Sequence, residues 1–336
     1  MRAATYSRTG PAHEVLSIIE LPRPEPGPGE VRVRVAWSGV NPSDTKSRAG
    51  TRSNVLPFPR ITPHSDGSGV IDAVGEGVAA TRIGERVWLW NAAWGRPDGT
   101  AAEWLVLPQA MAVRLPDGVP LEVGALLGIP ALTACHAVLH GAGVRGKRVL
   151  VAGGAGAVGH YAVQMARLAG ARQVIATVSS DEKGRIALAA GADAVVNYRG
   201  ADLQQRVRAL TEEHGVDRII EVDLAANALA DFDMVAANGE IVVYGSGQPM
   251  MQLPFVPAIV KNVGVQFFIV YNQTQADRDR ATQALTGWLQ DGALQHAIAL
   301  RVPLDRIAEA HAEVESGRLV GNAIVDLRGN EADALA

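Results

Sequence analysis

The sequence predicts an α/β protein of two domains, a barrel-like β domain followed by a doubly wound parallel sheet. Three observations carry this. Residues 148–170, RVLVAGGAGAVGHYAVQMARLAG, read as a buried strand, a glycine turn and a helix. The first third of the chain carries short strand patterns separated by turn residues. From about Leu126 helices and strands alternate, the pattern of parallel strands joined by helical crossovers. With 336 residues the chain exceeds one ordinary core, so two domains are expected.

Taken in order, residues 30–37, EVRVRVAW, alternate apolar and charged side chains, as a half-buried strand does. Pro22, Pro24, Pro26 and Pro28 punctuate the irregular connection before it. Residues 67–74, 86–90 and 104–107 read as further strands, with Gly75, Gly77 and Gly84 at turns. In the second domain strands are expected at 148–152, 173–178, 194–197, 217–222 and 240–245, with a sixth at 263–270. A helix over 277–290 and a last strand at 323–327 complete the chain.

The turn after the first of these parallel strands carries the chemistry. Gly153, Gly156 and Gly159 are spaced GxxGxxG rather than GxGxxG. Glycines there let the backbone approach a pyrophosphate, and the helix start offers free N–H groups at its positive dipole end. An acidic residue at the tip of the next strand would hold the ribose 2′-hydroxyl of NAD. That tip instead carries Val178, Ser179 and Ser180. Asp181 and Glu182 come later, where a helix begins, and Lys183 and Arg185 lie at the same corner. Hydroxyl and cationic donors suit a 2′-phosphate, which favours NADPH. Ser180 or Asp181 equally suits a helix cap, and both readings can hold together.

Composition narrows the classes. A formal net charge of -4 with no Lys/Arg run argues against nucleic acid. One cysteine, Cys135, permits neither a disulfide framework nor a cysteine zinc site within the chain. No apolar run is long enough to span a membrane, no signal peptide is found, and cytoplasmic residence is expected.

These residues resemble the medium-chain dehydrogenase/reductase superfamily, in particular its zinc-free, zeta-crystallin-like NADPH:quinone oxidoreductases. The likeness covers nearly the whole chain. It rests on VRVRVAWSGVNPSD at 31–44, GSGVIDAVGEGV at 67–78, IGERVW at 83–88 and GIPALTACHAV at 128–138. The glycine motif, GADAVVNYR at 191–199 and GVDRIIEV at 215–222 continue it. The resemblance implies a GroES-like catalytic domain, residues 1–127 and 273–336, around a Rossmann domain, residues 128–272. It further implies NADPH in the cleft between them and a homodimer. Cofactor contacts are then expected from Asn41, Asp44, Thr133, Ala155, Gly156, Ala157 and Val158. Ser179, Ser180, Lys183 and Tyr198 match the 2′-phosphate corner. Gly245, Ser246 and Gly247 follow the fifth strand, Ile269, Val270 and Tyr271 hold the carboxamide, and Asn322 lies at the near-terminal position. Asn41, Lys46 and Tyr271 are the candidate catalytic residues; Lys46 replaces a tyrosine frequent in the family, which leaves its hydrogen bonding open.

Zinc-dependent relatives place a cysteine where this chain has Asn41, and a GHE-type histidine where it reads PHSDG around His64. His64 with Asp66 falls short of the roughly three ligands a catalytic zinc needs, so no metal is expected. Without a Lewis acid, reduction of a conjugated acceptor is favoured over alcohol oxidation. The implied activity is hydride transfer from NADPH to a quinone. The alternatives are an enone or enoyl-thioester reductase, or a low-turnover NADPH-binding crystallin-like or RNA-binding protein. Trp88, Trp90 and Trp94 form either an aromatic wall for a planar substrate or barrel core. The acceptor is expected to enter past loops holding Arg52 and Trp94.

Overall fold

The computed structural model describes residues 1–51 and 53–329; Arg52, named above beside the acceptor path, lies outside the described residues. The chain divides into two compact units. One comprises Met1–Ile129, Leu289–Gly292 and the chain from His296 onward; the other comprises Pro130–Trp288 and Ala293–Gln295. The first unit holds strands β1 (Arg2–Thr5), β2 (Ser17–Glu20), β3 (Glu30–Val40), β4 (Gly67–Val74), β5 (Arg86–Leu89), β6 (Trp104–Pro108) and β7 (Ala112–Arg114). The second holds β8 (Arg148–Val151), β9 (Gln173–Val178), β10 (Ala194–Asn197), β11 (Val216–Glu221), β12 (Val235–Val243) and β13 (Gly264–Phe267). The chain then returns to the first unit for β14 (Ile298–Pro303) and β15 (Asn322–Asp326).

In the first unit the sheet runs β14-β15-β3-β4-β5-β7, with β6 also paired to β3. Its hub is β3, which antiparallel-pairs with β15, β4 and β6. Val31, Val33 and Val35 enter one continuous core with Ile71, Leu105 and Val325. The strand is not half-solvated as its alternation predicts. Arg32 on the other face is also buried, because its guanidinium donates to Asp72 at 2.8 Å and to Glu25 at 2.7 Å. Paired in this way, a charged side chain can be taken out of water.

In the second unit every strand pairing is parallel and the order is β10-β9-β8-β11-β12-β13. The order reverses direction between β8 and β11, and in such sheets ligands collect outside the strand C-termini at that point. Two boundaries differ from the sequence reading. β13 stops at Phe267, and a one-turn 3₁₀ helix, Val270–Asn272, follows where a longer strand is expected. The helix Gln275–Gln290 belongs through Trp288 to the second unit, not to the first from residue 273. Its Arg278 donates to the Val270 carbonyl at 3.2 Å, and the Cys135 thiol donates to the Ala281 carbonyl at 3.4 Å.

One charged side chain interrupts the apolar run of β11. Arg218 is completely buried, yet it bonds the Ala137 and His140 carbonyls at 3.0 and 3.2 Å and pairs with Glu240 at 2.5 Å. It thereby caps the C-terminus of the helix Leu132–Leu139, where a cation is favoured. Arg218→Ala should destabilise the protein by about 3 kcal/mol, the low end for a broken buried pair because Glu240 still reaches water. Urea unfolding checks this; a loss under about 1 kcal/mol contradicts the role, since that is the worth of a surface pair.

Candidate active site

The glycine turn after β8 is shaped by close approach. Gly153 has φ +67, a left-handed backbone, and its N–H donates to Thr177 Oγ1 at 3.2 Å. A Cβ on Gly159 would collide with the Gly153 carbonyl, so the helix start can lie against the strand end only with glycine there. Gly156 caps the helix Ala157–Leu168 and is exposed, whereas Ala155 behind it is buried. The N–H groups of the first helical turn, which begins with Ala157 and Val158, have no intrahelical partners. This open cradle is what a pyrophosphate needs.

The next strand tip lacks a carboxylate, as the sequence predicts. Ser179 is buried at the end of β9. Ser180 caps the helix Asp181–Ala189, its Oγ accepting from the Lys183 N–H at 3.3 Å. Both readings of Ser180 therefore remain compatible. Asp181 and Glu182 point outward in the first helical turn. Tyr198 follows β10, bonds the Val178 carbonyl through its N–H at 3.0 Å, and leaves its ring about half exposed. Ala155–Val158, Ser179–Lys183, Tyr198, residues 245–247 and residues 269–271 all follow the C-terminal ends of parallel strands. The structure thus gathers them on one sheet edge. Thr133, buried in the helix Leu132–Leu139, joins this group because that helix packs on the turn Val270–Asn272. Tyr271 is mostly buried; its carbonyl and that of Val270 accept from Arg278, and the Ile269 carbonyl accepts from Asn272 N–H. The backbone at this point is consequently well anchored.

In the first unit Asn41 starts the helix Pro42–Ala49. Its backbone N–H donates to Asp44 at 2.9 Å, and its Nδ2 donates to Asp66 Oδ1 at 2.8 Å. Asp66 is completely buried and its other oxygen accepts from Ile129 N–H at 3.2 Å. Burial, then the nearby Asp44, push the Asp66 carboxyl well above the usual range, against the pull of those hydrogen bonds. The Asn41 amide is thus held by one N–H and keeps its second. Lys46 lies on the same helix, half-buried, and its ammonium makes no bond with this cluster. Asn322 spends its Nδ2 and its backbone N–H on the Ala297 carbonyl at 3.0 and 2.8 Å. That leaves its amide oxygen and its second Nδ2 hydrogen for a ligand. Of the three tryptophans, Trp88 and Trp90 are core and only Trp94 is exposed. An aromatic wall of all three is therefore excluded, since β5 is buried on both faces.

Sequence reasoning weighs His64 only as a metal ligand and misses its actual partners. Thr100 Oγ1 donates to the Asp66 carbonyl at 2.6 Å, so it accepts from Ser38 at 2.7 Å. Ser38 has then spent its hydrogen and accepts from His64 Nδ1 at 2.7 Å. His64 Nε2 is left bare and accepts from His311 Nε2–H at 2.9 Å. These tautomers follow from the network. Both rings are completely buried and stacked, with centroids 5.0 Å apart. Burial pushes His64 down to about 3; burial, with the charges of His64 and Arg48, pushes His311 well below its ordinary value. Among the described residues no three His, Cys, Asp or Glu side chains come together in a set that could hold a metal ion.

This architecture, a GroES-like β unit with a dinucleotide-type parallel sheet, defines the class of pyridine-nucleotide oxidoreductases. Two family models match: an alcohol dehydrogenase GroES-like domain over residues 27–117 and a zinc-binding dehydrogenase domain over residues 157–287. The chain is 31% identical to the quinone oxidoreductase of Homo sapiens, covering 94% of each. Among solved structures, an NAD-dependent alcohol dehydrogenase superposes with a TM-score of 0.89 at 32% identity, covering 97% of this chain and 99% of that one. A mycobacterial protein complexed with NADPH superposes with a TM-score of 0.84 at 28% identity and the same coverage. The chain belongs to the quinone oxidoreductases of the medium-chain dehydrogenase/reductase family.

The histidine pair sets an acid limit on stability. Unfolded histidine takes a proton near pH 6.5, whereas His64 takes none until about 3. Stability present at neutral pH is therefore lost as pH falls below about 6.5. His311→Gln keeps an N–H for His64 and removes one titrating group. Between about pH 6 and pH 4 its stability should fall less steeply than wild type by about 1.4 kcal/mol per pH unit. Urea unfolding across this range decides; equal slopes would mean that His311 is protonated in the folded protein.

Proposed function

We propose that this protein reduces quinones with hydride from NADPH, without a metal. The observation that carries the reading is the single sheet edge on which a glycine cradle and a β9 tip of Ser179 and Ser180, without a carboxylate and followed by Lys183 and Tyr198, lie together. The quinone oxidoreductase relatives and the NADPH-bound structural neighbour support it. The first-turn N–H groups after Gly156 would take the pyrophosphate. Ser179, Ser180, Lys183 and Tyr198 would hold the 2′-phosphate, which a carboxylate at that tip would repel. The backbone at 269–271 and Thr133 would orient the carboxamide, and Gly245, Ser246 and Gly247 would line the same edge.

Bound NADPH supplies the hydride. The protein's part is orientation and charge stabilisation. Asn41, held by Asp66, offers its remaining N–H to the oxygen of the acceptor on which charge grows. Lys46, on the same helix, would donate a hydrogen bond or a proton there, and Tyr271 is the second candidate proton donor. With Trp88 and Trp90 in the core, Trp94 alone remains to meet an aromatic acceptor. The same reading makes the protein a cytoplasmic homodimer. Edge strand β13 and the adjacent helix Phe255–Val260 present Phe255, Val256, Ile259, Val260 and Phe267 to solvent, an apolar strip suited to a second copy.

The test is NADPH oxidation with a panel of para-quinones, enones and enoyl-thioesters, each in excess chelator. Quinones should turn over fastest and chelation should leave the rate unchanged. Faster turnover of an enone assigns the alkene-reductase reading instead. For the cofactor, Lys183→Ala should weaken NADPH binding by roughly 1.5–3 kcal/mol, the worth of a lost charge-assisted bond, and barely affect NADH. Titration with each cofactor checks this; equal losses would remove Lys183 from the phosphate corner.

A further inference from the structure

We propose that Glu221 and Asp231 share one buried proton, which braces the backbone loops after β11 and β12, and that losing this proton weakens NADPH binding. The inference rests on the placement of the cofactor along that sheet edge.

Glu221 ends β11 and Asp231 lies on the buried face of the helix Leu224–Met234; both are almost fully buried. Among the described residues neither carboxyl pairs with a cation. Glu221 Oε1 accepts from Asp223 N–H at 2.5 Å and from Asn227 Nδ2 at 3.0 Å. Glu221 Oε2 and Asp231 Oδ2 are buried without a hydrogen-bond partner among the described residues. Asp231 lies one turn after Asn227, which reaches Glu221, on the buried side of the same helix, so the two carboxyls are neighbours and each acts on the other's titration. Two adjacent buried carboxyls with no cation cannot both be charged; one must carry a proton. Oε1 already accepts two N–H bonds, so the charge sits on Glu221 and Asp231 donates the proton.

The surroundings keep it there. Burial, then the charge of Glu221, push Asp231 up to about 9. The other titratable group facing Glu221 is Tyr244 after β12, whose phenol burial raises further, so it stays neutral. On neighbouring elements, Arg208 pairs with Asp233, and Lys261 Nζ is spent on the carbonyls of Phe232, Asp233 and Val235.

Glu221 supports two loops. It holds the Asp223 N–H, and Asp223 Oδ1 in turn accepts from Gly247 N–H at 2.8 Å. The Glu221 carbonyl accepts from Tyr244 N–H at 3.1 Å. The loops touch so closely that a Cβ on Gly245 would collide with the Val222 carbonyl, and one on Gly247 would lie 2.8 Å from Asp223 Oδ2. When the shared proton leaves for water, two adjacent buried negative charges remain. They separate only if a carboxyl turns outward, and Glu221 then releases Asp223 and Asn227.

The experiment measures the NADPH dissociation constant from about pH 7 to 10.5 by nicotinamide fluorescence, for wild type and Asp231→Asn. The asparagine still donates an N–H to Glu221 but cannot ionise. The wild-type to variant ratio of dissociation constants should be flat to about pH 9 and then rise about tenfold per pH unit. Any titration common to both proteins cancels in the ratio. A ratio flat throughout overturns the proposal. Thermal unfolding gives the second readout. Asp231 is protonated in the folded protein where the unfolded chain has lost the proton. Wild-type stability relative to Asp231→Asn should therefore fall as pH rises from about 4 to 9. No such fall would mean that no proton is shared. If the ratio stays flat while Lys183→Ala still loses NADPH selectively, the shared proton fails alone. If Lys183→Ala binds NADPH like wild type, the cofactor placement fails as well.

Discussion

The contact between the start of the helix Ala157–Leu168 and the end of β8 is the constraint on which the sheet edge depends. Gly159 must sit against the Gly153 carbonyl, where any side chain would collide. That contact fixes the first helical turn, with its unpaired N–H groups, at the tip of β8, which lies between β9 and β11 in the sheet. Parallel strands with right-handed crossovers then bring every other strand end to the same edge. The fold does not choose the ligand. The choice lies in what decorates the edge, and the tip of β9 carries two serines rather than an acid.

A second constraint runs through both units. Charged and titratable groups lie inside them, and each is kept by pairing or by neutrality. Arg32 and Arg218 are paired. His64 and His311 stay neutral in fixed tautomers, linked to Thr100 through Ser38. Glu221 and Asp231 carry one charge between them. Asp66 is a deeply buried carboxyl whose bonds go to Asn41 and the chain at Ile129. Its burial is tied to the orientation of Asn41, the side chain proposed to meet the acceptor.

The parts that were legible in the sequence are those set by short-range pattern. The strand–glycine–helix unit, the parallel strands around it and the bare tip at Ser179 follow from local periodicity and turn chemistry. Groups joined across the chain were not legible. His64 and His311 are 247 positions apart and meet only because β15 and the helix Ile307–Glu315 return to the first sheet. Glu221 falls at the end of an apolar run and Asp231 within a helical one, and neither pattern signals a shared proton. Trp88 and Trp90 follow the strand alternation and were still ambiguous, because alternation says which residues share a face and not whether that face is covered. The helix Gln275–Gln290 was assigned to the wrong unit, because helical periodicity does not say which core a helix packs against.

The most direct measurement of the central claim follows the hydrogen itself. NADPH carrying deuterium at nicotinamide C4, on one face at a time, is mixed in excess with enzyme and a para-quinone, and the NADP⁺ formed is read by mass spectrometry. Hydride transfer from a cofactor held in one orientation predicts that deuterium is lost from one labelled form and kept in the other, with a slower rate for the form that loses it. Equal loss from both faces, or no oxidation of NADPH by any quinone, would contradict the account.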